Sequence, residues 1–285
     1  MTIERKPAWL RKKIVFSREH GTKSLLTNLR LNTVCEEARC PNISECYCQG
    51  HATFLIMGKN CTRGCAFCHV TKDRTPEPLD PMEPQRVAEA VRQMKLKHAV
   101  ITSVTRDDLP DGGAGHFCRV IGEIRGLGAK VTMETLVPDF QGNLQSVRAV
   151  SESSPDIFGH NIETVPRLYR LRPQADYKRS LEVLKNAKAF NPVLLTKSAL
   201  LLGMGETEEE VIQCLKDLRQ AECDFLALGQ YLRPDKINAE VKEYVTPAAF
   251  KKYEETGLAL GFLHIESGPY VRSSYNASSY LDCRR

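Results

Sequence analysis

The sequence predicts an α/β fold in which parallel strands alternate with helices. Short β-rich runs and segments of helical periodicity alternate along most of the chain, and the links between them are short. Such alternation is typical of parallel strands joined by right-handed crossovers. The six predicted units are too few for an eight-stranded barrel, so the sequence leaves a partial barrel and an open doubly wound sheet as alternatives.

The predicted strands lie at Thr53–Met57, Ala99–Ser103, Lys130–Thr135, Asp156–Asn161, Val193–Ser198 and Asp224–Leu228. Predicted helices lie at 84–97, 116–126, 142–151, 176–190 and 207–221, and a last one at 246–260 leads to His264–Ser267. Residues 1–30 are polar and basic and predict an arm with a short helix at most. Thr207–Glu210 has the pattern of a capping box. The Gly-rich turn before it, Gly203–Glu206, suits either a bound anion or a plain connection.

Composition narrows the class of protein. The chain has 285 residues, 40 Lys and Arg against 35 Asp and Glu, and a formal charge of +5. No apolar run of about 18 residues and no apolar leader occur, so we expect neither a membrane span nor a secretory signal. We therefore expect a cytoplasmic protein, although an organellar precursor without its transit peptide stays open. The small charge excess is not localised, which argues against a nucleic-acid partner.

Cysteine usage is the anomaly of this sequence. Seven of the eleven cysteines fall within residues 35–68. An odd number crowded into one region, without an export signal, disfavours a disulfide framework and favours metal or cluster ligation.

The first cysteine group is Cys61, Cys65 and Cys68, spaced C-x₃-C-x₂-C just after the first predicted strand. Three thiolates from one short loop can hold three irons of a 4Fe–4S cluster and leave the fourth iron open, whereas a ferredoxin normally offers four cysteines per cluster. A zinc site that adds His69 is the alternative, but His69 is adjacent to Cys68, which makes joint ligation awkward.

The second group is Cys35, Cys40 and Cys46, which precede the first strand. Their spacing is less diagnostic and leaves a cluster and zinc both open. Cys48 is a fourth ligand in principle, but a spare thiol or packing residue is the preferred interpretation.

The C-x₃-C-x₂-C loop resembles that of radical S-adenosylmethionine (SAM) enzymes, and its companion segments resemble the lipoyl synthase family. These segments are Val34–Asn42, Thr102–Gly113, His160–Pro166, Gly229–Pro234 and Ser267–Tyr275. They extend over nearly the whole chain. The resemblance implies a partial (β/α)₆ TIM-type barrel with a cysteine-rich N-terminal extension and a C-terminal tail that closes it. The implied segments are 1–50, 51–268 and 269–285.

The resemblance also implies an activity. Two sulfur atoms are inserted at the sixth and eighth carbons of an octanoyl chain, which is held in amide linkage to a lysine of a lipoyl carrier domain. By this resemblance Cys61, Cys65 and Cys68 hold the cluster that binds SAM, and cleavage of SAM yields a radical that abstracts hydrogen from unactivated carbon. Cys35, Cys40 and Cys46 hold an auxiliary cluster, which is the sulfur source. Its fourth ligand is Ser273 or Ser274, and the family pattern favours Ser274.

Further contacts are expected for SAM and for the substrate. For SAM we expect residues at strand ends and in the cluster loop: Phe67, Thr102, Ser103, Asn161, Glu163, Gly203, Gly205 and Glu206. Arg233 and Arg272 are the expected basic residues near the substrate. The implied partners are 2-oxoacid dehydrogenase acyltransferase subunits, the glycine-cleavage H protein, a reductant such as ferredoxin or flavodoxin, and iron–sulfur assembly proteins. We expect a monomer.

The sequence departs from the family pattern in places. Tyr47 stands where a tryptophan is frequent, and Cys48 is extra. Asp235–Glu240 replaces a segment that usually reads closer to Thr/Ser…His-Leu-Pro, which puts the choice of carrier protein in doubt. Three rival functions stay open: another two-cluster radical SAM enzyme with a different substrate, an iron–sulfur electron carrier, and a zinc-binding interaction protein.

Overall fold

The computed structural model describes residues 6–11, 19–128 and 130–284. Within these residues eight strands form one sheet in the order β1-β2-β5-β6-β7-β8-β9-β10. Their bounds are Asn32–Thr33 (β1), Thr53–Ile56 (β2), His98–Ser103 (β5), Thr132–Leu136 (β6), Ile157–Gly159 (β7), Leu195–Leu202 (β8), Phe225–Gln230 (β9) and His264–Gly268 (β10). Asn60–Cys61 (β3) and Thr71–Lys72 (β4) form a separate parallel pair.

All six predicted strands are confirmed, and the sheet has one more parallel strand than the sequence predicted. β10 pairs parallel to β9, with His264 opposite Phe225. Among the strands of this sheet in the described residues, β1 alone is antiparallel, to β2. The parallel strands follow one another in chain order, which is the order of a barrel wall; a doubly wound sheet reverses direction at its centre. The partial barrel is therefore correct and the doubly wound alternative is wrong.

Helices cover the outer face of the sheet. They are Glu19–Asn28 (α1), Val34–Glu37 (α2), Ile43–Cys48 (α3), Glu83–Gln93 (α4), Ala114–Gly126 (α5), Leu144–Glu152 (α6), Tyr177–Phe190 (α7), Glu208–Gln220 (α8) and Pro247–Ala259 (α9). Short 3₁₀ turns lie at Ala8–Leu10, Phe140–Gly142, Pro166–Leu171 and Ala277–Arg284. The predicted capping box at Thr207 and Glu210 begins α8. None of these helices is long and apolar enough to cross a membrane.

The chain after β10 runs across the open side of the sheet. Tyr280 is fully buried, and its ring lies 5.3 Å from that of Phe225 and 4.9 Å from that of His264. Closer to the end of β10, the carbonyl of Tyr270 accepts a hydrogen bond from the side chain of Asn42 at 2.7 Å. The tail thereby connects the last strands of the sheet with the N-terminal cysteine segment. The division of the chain into three segments stays a prediction.

Candidate active site

One cavity of about 520 Å³ opens where the parallel strands end. Carboxyl ends of strands in a parallel barrel converge on one face, and this face is where such folds bind ligands. The predicted site residues that line the cavity are Cys35, Cys40, Cys61, Cys65, Phe67, Cys68, Thr102, Ser103, Asn161, Glu163, Arg233, Arg272, Ser273 and Ser274. Both cysteine segments therefore face the same space.

Backbone hydrogen bonds connect the loop that carries Cys61, Cys65 and Cys68 to neighbouring loops. The amide of Thr62 donates to the carbonyl of Thr105 at 3.0 Å, and that of Ala66 donates to Leu171 at 2.8 Å. Burial raises the pKa of the Cys68 thiol to about 12. A thiol in such surroundings stays protonated on its own, and a bound metal cation is the ordinary means of stabilising its thiolate.

Arg63, inside the same motif, forms a buried ion-pair network that sequence reasoning missed. Its guanidinium donates to Asp107 at 2.6 and 2.8 Å and to Asp139 at 2.7 Å. Burial would raise the pKa of Asp139, but the bond and charge of Arg63 outweigh it, so the pKa is lowered. The signal that could have revealed the network is the presence of a charged residue, Arg63, between Cys61 and Cys65. The network ties the cysteine loop to the loops after β5 and β6.

The second group gathers from α2, the following turn and α3. Cys35 and Cys40 line the cavity, whereas Cys46 is not among the described lining residues. Burial raises the pKa of Cys35 to about 12, and the nearby charges of Cys40 and Cys46 raise it further. The three sulfur atoms are thus close enough to interact electrostatically. Cys48 is the last residue of α3.

The two serines of the tail point to different parts of the cavity. The hydroxyl of Thr53 donates to the hydroxyl of Ser274 at 2.8 Å, and Thr53 is close enough to Cys35 to oppose the burial that raises the pKa of its thiol. The hydroxyl of Ser273 instead donates to the side-chain oxygen of Asn161 at 3.1 Å. Ser274 is therefore on the side of the Cys35 group, and Ser273 is on the side of the strand ends.

The predicted SAM contacts divide into two sets. Asn161 donates to Glu163 at 3.0 Å, and burial raises the pKa of Glu163. Thr102 donates to a backbone carbonyl of β6 at 2.9 Å, while the Ser103 hydroxyl is buried without a partner among the described residues. These four residues, with Phe67, face the cavity.

Gly203, Gly205 and Glu206 are not among the described residues of the cavity wall. The carboxylate of Glu206 accepts hydrogen bonds from the amides of Gly203 and Met204. Gly203 has φ +98°, and a Cβ there would overlap the carbonyl of Glu243. This turn is shaped by its own hydrogen bonds and by close packing, and a role in SAM binding stays a prediction.

The two predicted basic residues lie in the cavity wall. Arg233 donates to the carbonyl of Asn238 at 2.8 Å. Burial lowers the pKa of Arg272, and the charges of Cys40 and Glu163 oppose this effect. Arg272 therefore lies near Cys40 of the second cysteine group and near Glu163 at the strand ends. Arg172, which the sequence did not single out, is a further cation near Cys65 and Glu163. Its charge opposes the burial that raises the pKa of both groups.

The donor atoms that face the cavity are mainly thiols, and thiolates are the usual ligands of iron–sulfur clusters. No three His, Cys, Asp or Glu side chains in the described ranges are close enough together to hold one metal ion. A cluster places each thiolate on a different iron, so its ligands are spaced more widely than those of zinc. The geometry accordingly offers no preformed zinc site in the described part of the chain.

Comparison with known proteins places this site in a family. The model of the radical SAM superfamily matches residues 55–218. The lipoyl synthase of Caldanaerobacter subterraneus subsp. tengcongensis is 55% identical over 286 residues, which cover 100% of both chains. The lipoyl synthase of Geobacter metallireducens is 55% identical over 98% of this chain and 99% of its own.

Solved structures agree on the fold. The FeFe-hydrogenase maturase HydG matches with a TM-score of 0.60 at 14% identity, over 74% of this chain and 49% of its own. Methylornithine synthase (PylB) matches with a TM-score of 0.56 at 14% identity, over 85% and 73%. Together with the full-length sequence matches, these comparisons show that the chain belongs to the lipoyl synthase family of radical SAM enzymes.

Proposed function

We propose that this chain inserts sulfur at the sixth and eighth carbons of an octanoyl group bound to a lysine of a lipoyl carrier domain. The observation that carries the proposal is that Cys61, Cys65 and Cys68 line one cavity at the strand ends together with Cys35, Cys40 and Ser274. A reaction that needs both hydrogen abstraction and a sulfur donor requires the two centres to face the same substrate chain.

Cys61, Cys65 and Cys68 would hold the 4Fe–4S cluster that binds SAM. When bound, the cluster and SAM supply radical chemistry strong enough to remove hydrogen from unactivated carbon, and the protein orients the reactants and excludes water. Asn161 and Glu163 are the polar groups available to SAM at the end of β7. The Arg63 network holds the loop in position.

Cys35, Cys40, Cys46 and Ser274 would hold the auxiliary cluster. Ser274 is favoured over Ser273 because Thr53 connects it to Cys35, whereas Ser273 faces Asn161. A serine oxygen is a harder ligand than a thiolate, so the iron that it holds would be the one most easily released.

The substrate would enter between the two groups. Arg233 and Arg272 lie in the wall of the cavity, which also has apolar side chains suited to an alkyl chain, such as Val104, Leu136 and Val271. Carrier domains of 2-oxoacid dehydrogenase acyltransferases and the glycine-cleavage H protein are the proposed substrates. Ferredoxin or flavodoxin would supply electrons, and iron–sulfur assembly proteins would rebuild the spent cluster.

The test is anaerobic reconstitution with iron and sulfide, followed by reaction with SAM, dithionite and an octanoyl-lysine peptide. We expect about eight irons per chain, 5′-deoxyadenosine, and a peptide that gains two sulfur atoms by mass spectrometry. Deoxyadenosine without sulfur insertion would indicate a radical SAM enzyme with another substrate. Iron without SAM cleavage would indicate an electron carrier, and tightly bound zinc would indicate an interaction protein.

A further inference from the structure

The segment after β9, residues 233–240, lies against the loop that carries Cys65 and Cys68. Asn238 is only 4% exposed. Its side-chain nitrogen donates to the carbonyl of Ala66 at 3.2 Å and to the carbonyl of Cys68 at 2.9 Å. The backbone nitrogen of Ala239 also donates to Ala66, at 2.9 Å. Three hydrogen bonds therefore connect two parts of the chain that are far apart in sequence.

Asn238 is itself held by its own segment. Its backbone nitrogen donates to the carbonyl of Asp235 at 3.0 Å, and its carbonyl accepts from Arg233 at 2.8 Å. The hydroxyl of Tyr231 donates to the carbonyl of Ala239 at 2.8 Å. Tyr231 directly follows β9, so the position of the segment is set by the sheet.

The donor atoms of Asn238, not its acceptor, make these contacts. The side-chain oxygen is buried and has no partner among the described residues. Buried backbone carbonyls need a donor, and residues 62–70 belong to no helix or strand that could supply one to Ala66 and Cys68. Ligand side chains must also be held within about 0.5 Å of their working geometry.

We propose that Asn238 is a positioning residue of the radical SAM site, which fixes the backbone from Ala66 to Cys68 and thereby the directions of the Cys65 and Cys68 thiols. The inference rests on the proposed function of these cysteines as cluster ligands. From the sequence we expected this segment to affect the choice of carrier protein. In the structure, Asn238 instead contacts the loop that carries Cys65 and Cys68.

Other contacts of the segment are weaker and provide controls. Asp235 pairs with Arg39 at 3.5 Å, but both side chains are largely exposed, so the pair adds little stability. Ile237 is 87% exposed. An Ile237→Ala variant therefore changes the same segment without removing a described contact to the cysteine loop.

The test compares Asn238→Ala, Asn238→Asp and Asn238→His with Ile237→Ala in the reconstituted enzyme. Aspartate keeps the shape of asparagine but cannot donate as a carboxylate, and histidine keeps one ring N–H donor at the same distance from Cβ. Loss of a hydrogen bond that orients a ligand typically costs about 10- to 100-fold in affinity or activity. We expect the KM for SAM to rise by about this factor in Asn238→Ala and Asn238→Asp, with partial recovery in Asn238→His and no change in Ile237→Ala.

Two further readouts separate positioning from general stability. The electron paramagnetic resonance spectrum of the reduced cluster should respond differently to SAM in Asn238→Asp than in the wild-type enzyme. Amide hydrogen exchange of the holoenzyme should be faster at residues 66–68 in this variant. Wild-type spectra and KM in Asn238→Asp would overturn the inference, and so would an equal loss in all three Asn238 variants through a lowered melting temperature. A wild-type chain that neither takes up iron nor cleaves SAM would instead overturn the proposed function, and the inference with it.

Discussion

The buried ion pair of Lys197 and Glu134 provides a sharp test of the forces inside the barrel. Lys197 on β8 donates to the two carboxylate oxygens of Glu134 on β6 at 3.0 and 2.8 Å. The two side chains are 1% and 0% exposed. The ammonium also lies 3.8 Å from the centre of the Tyr280 ring. Burial raises the pKa of Glu134 and lowers that of Lys197, and each charge opposes the shift of the other.

Removing one partner leaves the other charge buried without compensation. Such a change costs about 3–5 kcal/mol, whereas replacement of both partners by apolar residues of similar volume is often neutral or stabilising. We therefore expect Lys197→Met to lower the free energy of unfolding by about 3–5 kcal/mol, a large part of the 5–15 kcal/mol typical of a folded domain. The double variant Lys197→Met/Glu134→Leu should fall within about 2 kcal/mol of the wild type, which allows for the lost cation–π contact.

The measurement is anaerobic urea denaturation followed by far-ultraviolet circular dichroism, with both single variants and the double variant analysed as a cycle. Iron content should be unchanged in the double variant, because the pair makes no described contact with either cysteine group. A loss below about 1 kcal/mol for Lys197→Met, or a double variant as unstable as the sum of the singles, would refute the reasoning.

Three further predictions concern the tail, the strand ends and pH. Ser274→Cys should keep the auxiliary cluster but slow sulfur insertion, because a thiolate holds iron more firmly; unchanged single-turnover rates would contradict this. Gly229→Ala should displace the tail, since a Cβ would overlap the carbonyl of Val271, so iron analysis should show loss of the auxiliary cluster with the SAM cluster retained. Burial lowers the pKa of His98 to about 4, so the unfolded chain binds a proton that the folded chain does not, and stability should fall as the pH drops from about 6.5 to about 4. His98→Leu should lose less stability than the wild type over this pH range, as measured by urea denaturation at each pH. Equal losses in the two proteins would show that His98 does not cause the effect.

Several features could be predicted from the sequence because they are local. Cys61, Cys65 and Cys68 lie in one short loop, so their spacing alone limits what they can bind. The strands are runs of apolar, β-branched residues between turn signals, and parallel strands direct their carboxyl ends to one face. That rule correctly brought Thr102 and Asn161 to the cavity. The sequence did not predict the parallel strand β10, because His264–Gly268 has few apolar residues.

Other features depend on contacts between distant segments, which periodicity and spacing do not encode. That Ser274 and not Ser273 meets the hydroxyl of Thr53 follows from the path of the tail, which spacing does not show. Glu206 was predicted as a SAM contact from its turn alone, and only the structure shows that its carboxylate accepts hydrogen bonds from the amides of that turn.

The alternation of strands and helices, the two cysteine groups and the family could all be recognised without coordinates. The contacts of Arg63 with Asp139, of Lys197 with Glu134 and of Asn238 with the carbonyl of Cys68, 170 residues away, are visible only in the folded chain. The physical reason is that a buried polar group must find a partner where the packed chain places one. That place depends on strand register and loop path, not on neighbouring residues in sequence.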